Sequence, residues 1–184
     1  ARAGVRVPEP FGCFDGVLLM ELITDENGDV APRLSEVSMS EAQAHEDHAQ
    51  VMHYVMCMLN AGLVHGDLSE FNVLVDQDGP VIIDLPQAVD AAANNNAFAM
   101  LERDVKNMTD YYGLFAPALL DSHYAQEIWT LYENAELHPD LKLTGHFDMP
   151  TELADVDSVM LEIKAALAEE ESRKERLREA EAED

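Results

Sequence analysis

Four residues in the stretch "LVHGDLSEFNVLVDQDGPVIIDLPQAV", Leu63 to Val89, have types and spacing suited to chemistry: His65, Asp67, Asn72 and Asp84. They stand beside two runs of strand-forming residues, Val73–Val75 and Val81–Ile83, where a sheet built only for stability would exclude them. Phosphoryl transfer from a nucleotide asks for this set. It needs a carboxylate near an acceptor hydroxyl and oxygen donors that hold magnesium against phosphates. Asp67 is the candidate proton acceptor. Asn72 lies five residues on, across a tight loop, and Asp84 closes the next strand, so these two are the candidate metal ligands. His65 suits ordering the loop by hydrogen bonds better than carrying protons. Asp and Asn are common in turns, and "DQDG" alone is only a turn; the full string sets this segment apart.

The elements that position these residues are readable from periodicity. Leu63 and Val64 lead in, "HGDLSEFN" forms the loop, "VLV" leaves it, "DQDG" turns and "VIID" returns. Gly66 permits a close backbone turn beside Asp67. Upstream, "PFGCF" (10–14) and "VLLMELI" (17–23) read as a hairpin around Asp15 and Gly16. A helix is expected from Glu41 to Ala61, with Ala44, His48, Val51, Met52, Val55 and Leu59 on one face. Ser38 and Glu41 would form its capping box, and Gly62 would end it. A second amphipathic helix carries Phe98, Leu101, Val105, Met108, Tyr112 and Phe115. A third, from His123 to Ala135, carries Ile128, Trp129 and Tyr132, and "LHPDLKLTGHFDMP" reads as a loop. From residue 151 the chain becomes an acidic helix or tail, with a short apolar stripe, Val156 to Leu167, that would dock its beginning.

Composition bounds the function. At 184 residues and 47% hydrophobic, the chain can bury one ordinary core. A formal net charge of −26 argues against direct contact with bare nucleic acid and favours magnesium or a basic partner. No apolar run reaches the ~20 residues of a membrane span, and no secretion signal opens the chain, which places it in the cytoplasm. Cys13 and Cys57 lack metal spacing and are expected as reduced, buried thiols. His45, His48 and His53 with Glu41 could meet on one helix face around a metal, although the spacing matches no known zinc pattern and packed histidines are the simpler reading. No lysine precedes Lys106, and the opening at Ala1 reads as the end of one element entering a strand, as in part of a longer polypeptide.

"HGDLSEFNVLV" followed by "IIDLPQAV" resembles the RIO family of atypical serine protein kinases. "VLLMELI" with "APRL" looks like that family's hinge, and "RDVKNMTDYY" like the helix after its metal-binding loop. The likeness runs from about Gly4 to Tyr112, and resembles bacterial members across "HYAQEIWTLYE" and "LTGHF". It implies an α+β fold, a protein-kinase-like C-terminal lobe, mainly helical with short β-hairpins. Residues 1–23 would be hinge strands of an N-terminal lobe, residues 24–150 the C-terminal lobe, and 151–184 the acidic tail. It also implies Asp67 as the catalytic aspartate, Asn72 and Asp84 as metal ligands, and Ser69 and Glu70 as parts of the loop signature. The backbone of Glu21 and Ile23 would hold adenine, with Met20 at the back of the pocket. ATP with magnesium (or manganese) would be the cofactor, and a protein serine or the protein itself the acceptor. Some members act as ATPase switches with a phosphoaspartate at the metal-binding position, here Asp84.

The family also needs an N-terminal lobe with a phosphate-covering loop, a strand lysine and a helix glutamate. None lies in this chain, so the lobe is expected upstream, and this chain alone is expected to be inactive. Two other readings use the same residues. One is a small-molecule phosphotransferase of the aminoglycoside or choline kinase type, whose loops also begin H-G-D, but "LSEFN" and "DLPQAV" argue against it. The other is a non-catalytic nucleotide-binding scaffold, against which the intact Asp67, Asn72 and Asp84 count.

Overall fold

The computed structural model describes residues 2–148, and the chain divides into two units, Ala1–Phe147 and Asp148–Asp184. The first is α+β, with three helices and three two-stranded antiparallel pairs. The docking stripe expected between Val156 and Leu167 lies outside the described residues. No helix among the described residues is long and apolar enough to cross a membrane.

The expected hairpin is present as β1 (Pro10–Phe14) and β2 (Val17–Met20). Asp15 and Gly16 both take positive φ, 50° and 82°, the backbone of a tight hairpin turn that matches strand twist. β2 stops at Met20 rather than Ile23, because pairing with β1 ends where Pro10 meets Met20; beyond it the Glu21 amide still reaches the Glu9 carbonyl at 2.8 Å. Cys57 is buried, but Cys13 is exposed on this hairpin, contrary to expectation, since nothing among the described residues covers that position.

Helix α1 (Glu41–Asn60) is the centre of the core. Ala44, His48, Val51, Met52, Val55 and Leu59 are all buried, and in its last turns Met56, Cys57 and Met58 are buried too. The N-cap is Ser40, not Ser38. Ser40 has extended φ/ψ next to the first helical residue, and its hydroxyl accepts the Gln43 amide at 3.2 Å. Ser38 is two residues too early to reach a free first-turn amide. Helix α2 (Ala97–Gly113) packs on α1 through Leu101, Val105, Met108 and Tyr112, and α3 (Tyr124–Glu133) adds Ile128 to the same cluster. Residues 137–148 form no helix or strand, in keeping with the loop reading.

Of the histidines weighed as metal ligands, His48 is packed inside and bonded to Thr109 Oγ1 at 3.0 Å, while His45 is exposed and His53 lies beside Cys57 Sγ at 3.5 Å. The three serve separate surroundings. Burial lowers the pKa of His48 to about 4.

The segment with the chemistry leaves and rejoins the body at one place. β3 (Leu63–Val64) pairs with β6 (Val89–Asp90), and the Ala91 amide donates to the Gly62 carbonyl at 2.9 Å. Between them β4 (Val73–Asp76) and β5 (Gly79–Ile82) form a hairpin with Val73, Val81 and Ile82 buried. Arg6 grips the turn end of this hairpin, its guanidinium bonding both carboxylate oxygens of Asp76, Oδ1 at 2.7 Å. Burial opposes the Asp76 charge, but the Arg6 bond and the Asp78 amide outweigh it and hold the carboxyl below its usual value.

Candidate active site

The loop between β3 and β4 is built around a buried carboxylate. Asp104, on α2 and only 1% exposed, accepts the amides of Gly66 at 2.7 Å and Leu68 at 3.0 Å. Asn107, nearly one turn further on, donates to the Leu68 carbonyl at 3.0 Å, and Arg103 donates to the Gly66 carbonyl. Three neighbouring residues of one helix therefore fasten both sides of Asp67. Burial pushes the Asp104 pKa up, and the two amides and the Arg103 guanidinium pull it back without cancelling the rise.

Gly66 is required where it stands. Its φ is +82°, and a Cβ there would meet Met100 Cε at 2.6 Å and the Gln87 carbonyl oxygen at 3.2 Å. His65 is buried, its Nε2 donating to the Ile83 carbonyl at 3.0 Å and its Nδ1 accepting the Asp67 amide at 3.3 Å. The ring thus joins the loop to the end of β5. The Ser69 carbonyl accepts the Asn72 amide at 2.9 Å, and the Glu70 carbonyl accepts the Ser35 amide at 3.1 Å. Both residues act here through their backbone.

Asn72 donates its side-chain amide to the Asp67 carbonyl at 2.7 Å, which leaves Asn72 Oδ1 for another partner. The Asn72 carbonyl in turn accepts the Ile83 amide at 3.0 Å, so Asn72 and Asp84 stand at adjoining strand ends. Asp84 does not itself end the strand. β5 finishes at Ile82, and Asp84 takes a left-handed conformation, φ 63° and ψ 54°, before a 3-10 turn at Leu85–Gln87. Asp tolerates that conformation better than most residues, and such positions gather at functional sites. Its carboxylate is exposed and has no hydrogen-bond partner among the described residues. The 3-10 turn brings Gln87 back to Asp67, with Nε2 to Oδ2 at 3.3 Å.

Asp67, Asn72 and Asp84 thus share one end of the β4–β5 hairpin. Their free donors are all oxygen, the set a hard divalent cation takes. Met20, Glu21 and Ile23, expected at the adenine edge, lie apart in sequence, at and after the end of β2. Met20 is 46% exposed and Ile23 buried. The Glu21 amide and the Ile23 carbonyl are occupied by Glu9 and Ala31. The Glu21 carbonyl and Ile23 amide have no backbone partner among the described residues.

Asp104, Arg103, Asn107 and Gln87 were not singled out by sequence reasoning. One signal was available: Asp104 falls on the apolar face of α2, between Leu101 and Met108, where an acid needs a partner.

Comparison with known proteins identifies the family. Residues 1–125 match the family model described as "RIO domain". The chain is 42% identical over 111 residues to the RIO-type serine/threonine-protein kinase Rio1 of Haloferax volcanii, covering 60% of this chain and 37% of that protein. It is 38% identical over 111 residues to the human serine/threonine-protein kinase RIO1, covering 60% of this chain and 19% of the relative. To RIO-type serine/threonine-protein kinase Rio2 of Methanocaldococcus jannaschii it is 34% identical over 113 residues, 59% of this chain and 39% of the other. The chain thus matches 19–39% of the length of these relatives. With a family match over most of its length and the loop "HGDLSEFN" held as described, the chain belongs to the RIO domain family.

Proposed function

We propose that this chain supplies the catalytic and metal-binding part of an ATP-dependent serine/threonine protein kinase. The observation that supports it most is the fastening of the Asp67 loop to α2 together with the meeting of Asp67, Asn72 and Asp84 at one hairpin end. On this reading Asp67 accepts the proton of the acceptor serine hydroxyl as its oxygen attacks the terminal phosphorus. The Gln87 amide and the loop backbone hold that carboxylate in place. Asn72 Oδ1 and Asp84 would hold magnesium, which offsets phosphate charge when bound.

His65 orders the loop, with Ser69 and Glu70 bracing it through their carbonyls. The Glu21 carbonyl and Ile23 amide face the adenine edge, behind which Met20 lies. Residues up to 23 act as hinge strands and residues 24–150 as the C-terminal lobe. The acceptor is a serine of a partner protein or of the protein itself, and the protein works in the cytoplasm.

The test is phosphate transfer from labelled ATP by the full-length protein carrying Asp67→Asn. Transfer should fall by about 10²–10⁴-fold while nucleotide binding persists. Undiminished transfer would remove Asp67 from its role.

A further inference from the structure

A second site lies away from the Asp67 loop, between the start of α1 and the β4–β5 turn. A cleft of about 340 Å³ opens there. Its charged wall is Asp47, on the second turn of α1 and only 3% exposed. Asp47 Oδ1 accepts the Gln43 side-chain amide at 2.8 Å. No Lys, Arg or His among the described residues forms an ion pair with Asp47. The other carboxylate lining the cleft, Asp76, is already gripped by Arg6. A buried carboxylate with one neutral hydrogen bond is costly, and native proteins usually pair such charges. Burial also raises the Asp47 pKa.

The rest of the lining indicates what would pair with it. Val37, Met39 and Val75 give the cleft apolar surface, and Ser38 and Gln77 add polar groups. A cleft with apolar patches from Val37, Met39 and Val75 beside a carboxylate fits a short chain of methylenes carrying a positive head. Guanidinium groups favour a bidentate grip on both carboxylate oxygens, and one oxygen here is engaged by Gln43. A compact ammonium needs only the free oxygen.

We propose that this cleft binds a primary alkylammonium, the head of a lysine side chain or of a free aliphatic amine, with Asp47 as its counter-charge. The site is independent of the phosphoryl-transfer reading, and neither depends on the other.

The experiment follows backbone amides of the full chain by NMR while N-acetyl-lysine methylamide is added, with N-acetyl-norleucine methylamide and n-butylammonium in parallel. Saturable shifts at Ser38, Gln43, Asp47 and Gln77 are expected with both ammonium probes, and at least tenfold weaker binding with the norleucine probe. A tighter fit for the lysine probe assigns the site to a protein partner; a tighter fit for butylammonium assigns it to a free amine. Asp47→Asn should abolish the shifts. If that variant fails to fold, the lysine-to-norleucine contrast in the unaltered protein decides alone. Equal response to norleucine, absence of saturable shifts, or undiminished binding by a folded Asp47→Asn overturns the proposal.

Discussion

The Asp67 loop and the β1–β2 hairpin are both short stretches, yet they are held in opposite ways. The loop has little regular structure of its own, but its amides and carbonyls end on Asp104, Arg103, Asn107, His65 and Asn72. The hairpin has a good ladder and a favoured turn, but Phe11, Phe14, Val17, Leu18 and Leu19 are each more than half exposed. Regular pairing is therefore a poor guide to rigidity in this molecule. What holds a segment is where its polar groups and side chains end, and by that measure, among the described residues, the loop is fastened to the core while the hairpin's side chains stay uncovered.

The largest expected effect breaks the loop's side of this contrast. Asp104→Ala leaves the Gly66 and Leu68 amides without their acceptor and should cost about 3–5 kcal/mol, read by urea denaturation. It should also loosen Asp67, so phosphate transfer by the full-length protein should fall with it.

Much of this arrangement was legible in the sequence, and the reasons differ by residue. The loop string and the apolar faces of α1 and α2 are local patterns, set by periods of 2 and 3.6 residues. The role of Asp104 depends on a contact with residues 36 and 38 positions away, which no local pattern encodes. The cap at Ser40 instead of Ser38 turns on which serine has extended φ/ψ next to the first helical residue, a choice made by the chain arriving from Leu34–Glu36. Cys13 looked buried because its neighbours are apolar, but exposure depends on what covers a strand.

Acid should act on the same core. His48 is neutral inside and has a folded pKa of about 4 against 6.5 when unfolded. The unfolded chain therefore binds the proton first. Its contribution is fully present above pH 6.5 and is lost as pH falls toward 4, about 3 kcal/mol if the whole shift is felt. Denaturation midpoints across that window should fall, and His48→Gln should flatten the dependence.

Gly66→Ala sharpens the comparison further. The positive φ alone should cost about 1–2 kcal/mol, and the contact with Met100 adds to it. Met100→Ala should recover only the contact part, as a double-mutant cycle would show. The smallest effect belongs to the hairpin: Leu18→Ser, at an exposed position, should change stability by no more than about 0.5 kcal/mol. A large loss there would mean that the surface reading of the hairpin is wrong.

The β3–β6 pair has a consequence for how the segment can change. Because the chain departs at Val64 and returns at Val89 as direct neighbours, everything between is a closed excursion that includes the Gln77–Asp78 turn. Lengthening a loop adds closure entropy only slowly, about 0.6 kcal/mol per doubling, but length added at that turn would disturb the Arg6 grip on Asp76 and the Gly79 carbonyl and the cleft against α1. The same addition between Gly66 and Asn72 would pull apart bonds anchored on α2. The segment is thus tied down at both ends, by Arg6 and the start of α1 at the turn and by α2 at the loop, and the two-residue clasp closes it into one unit.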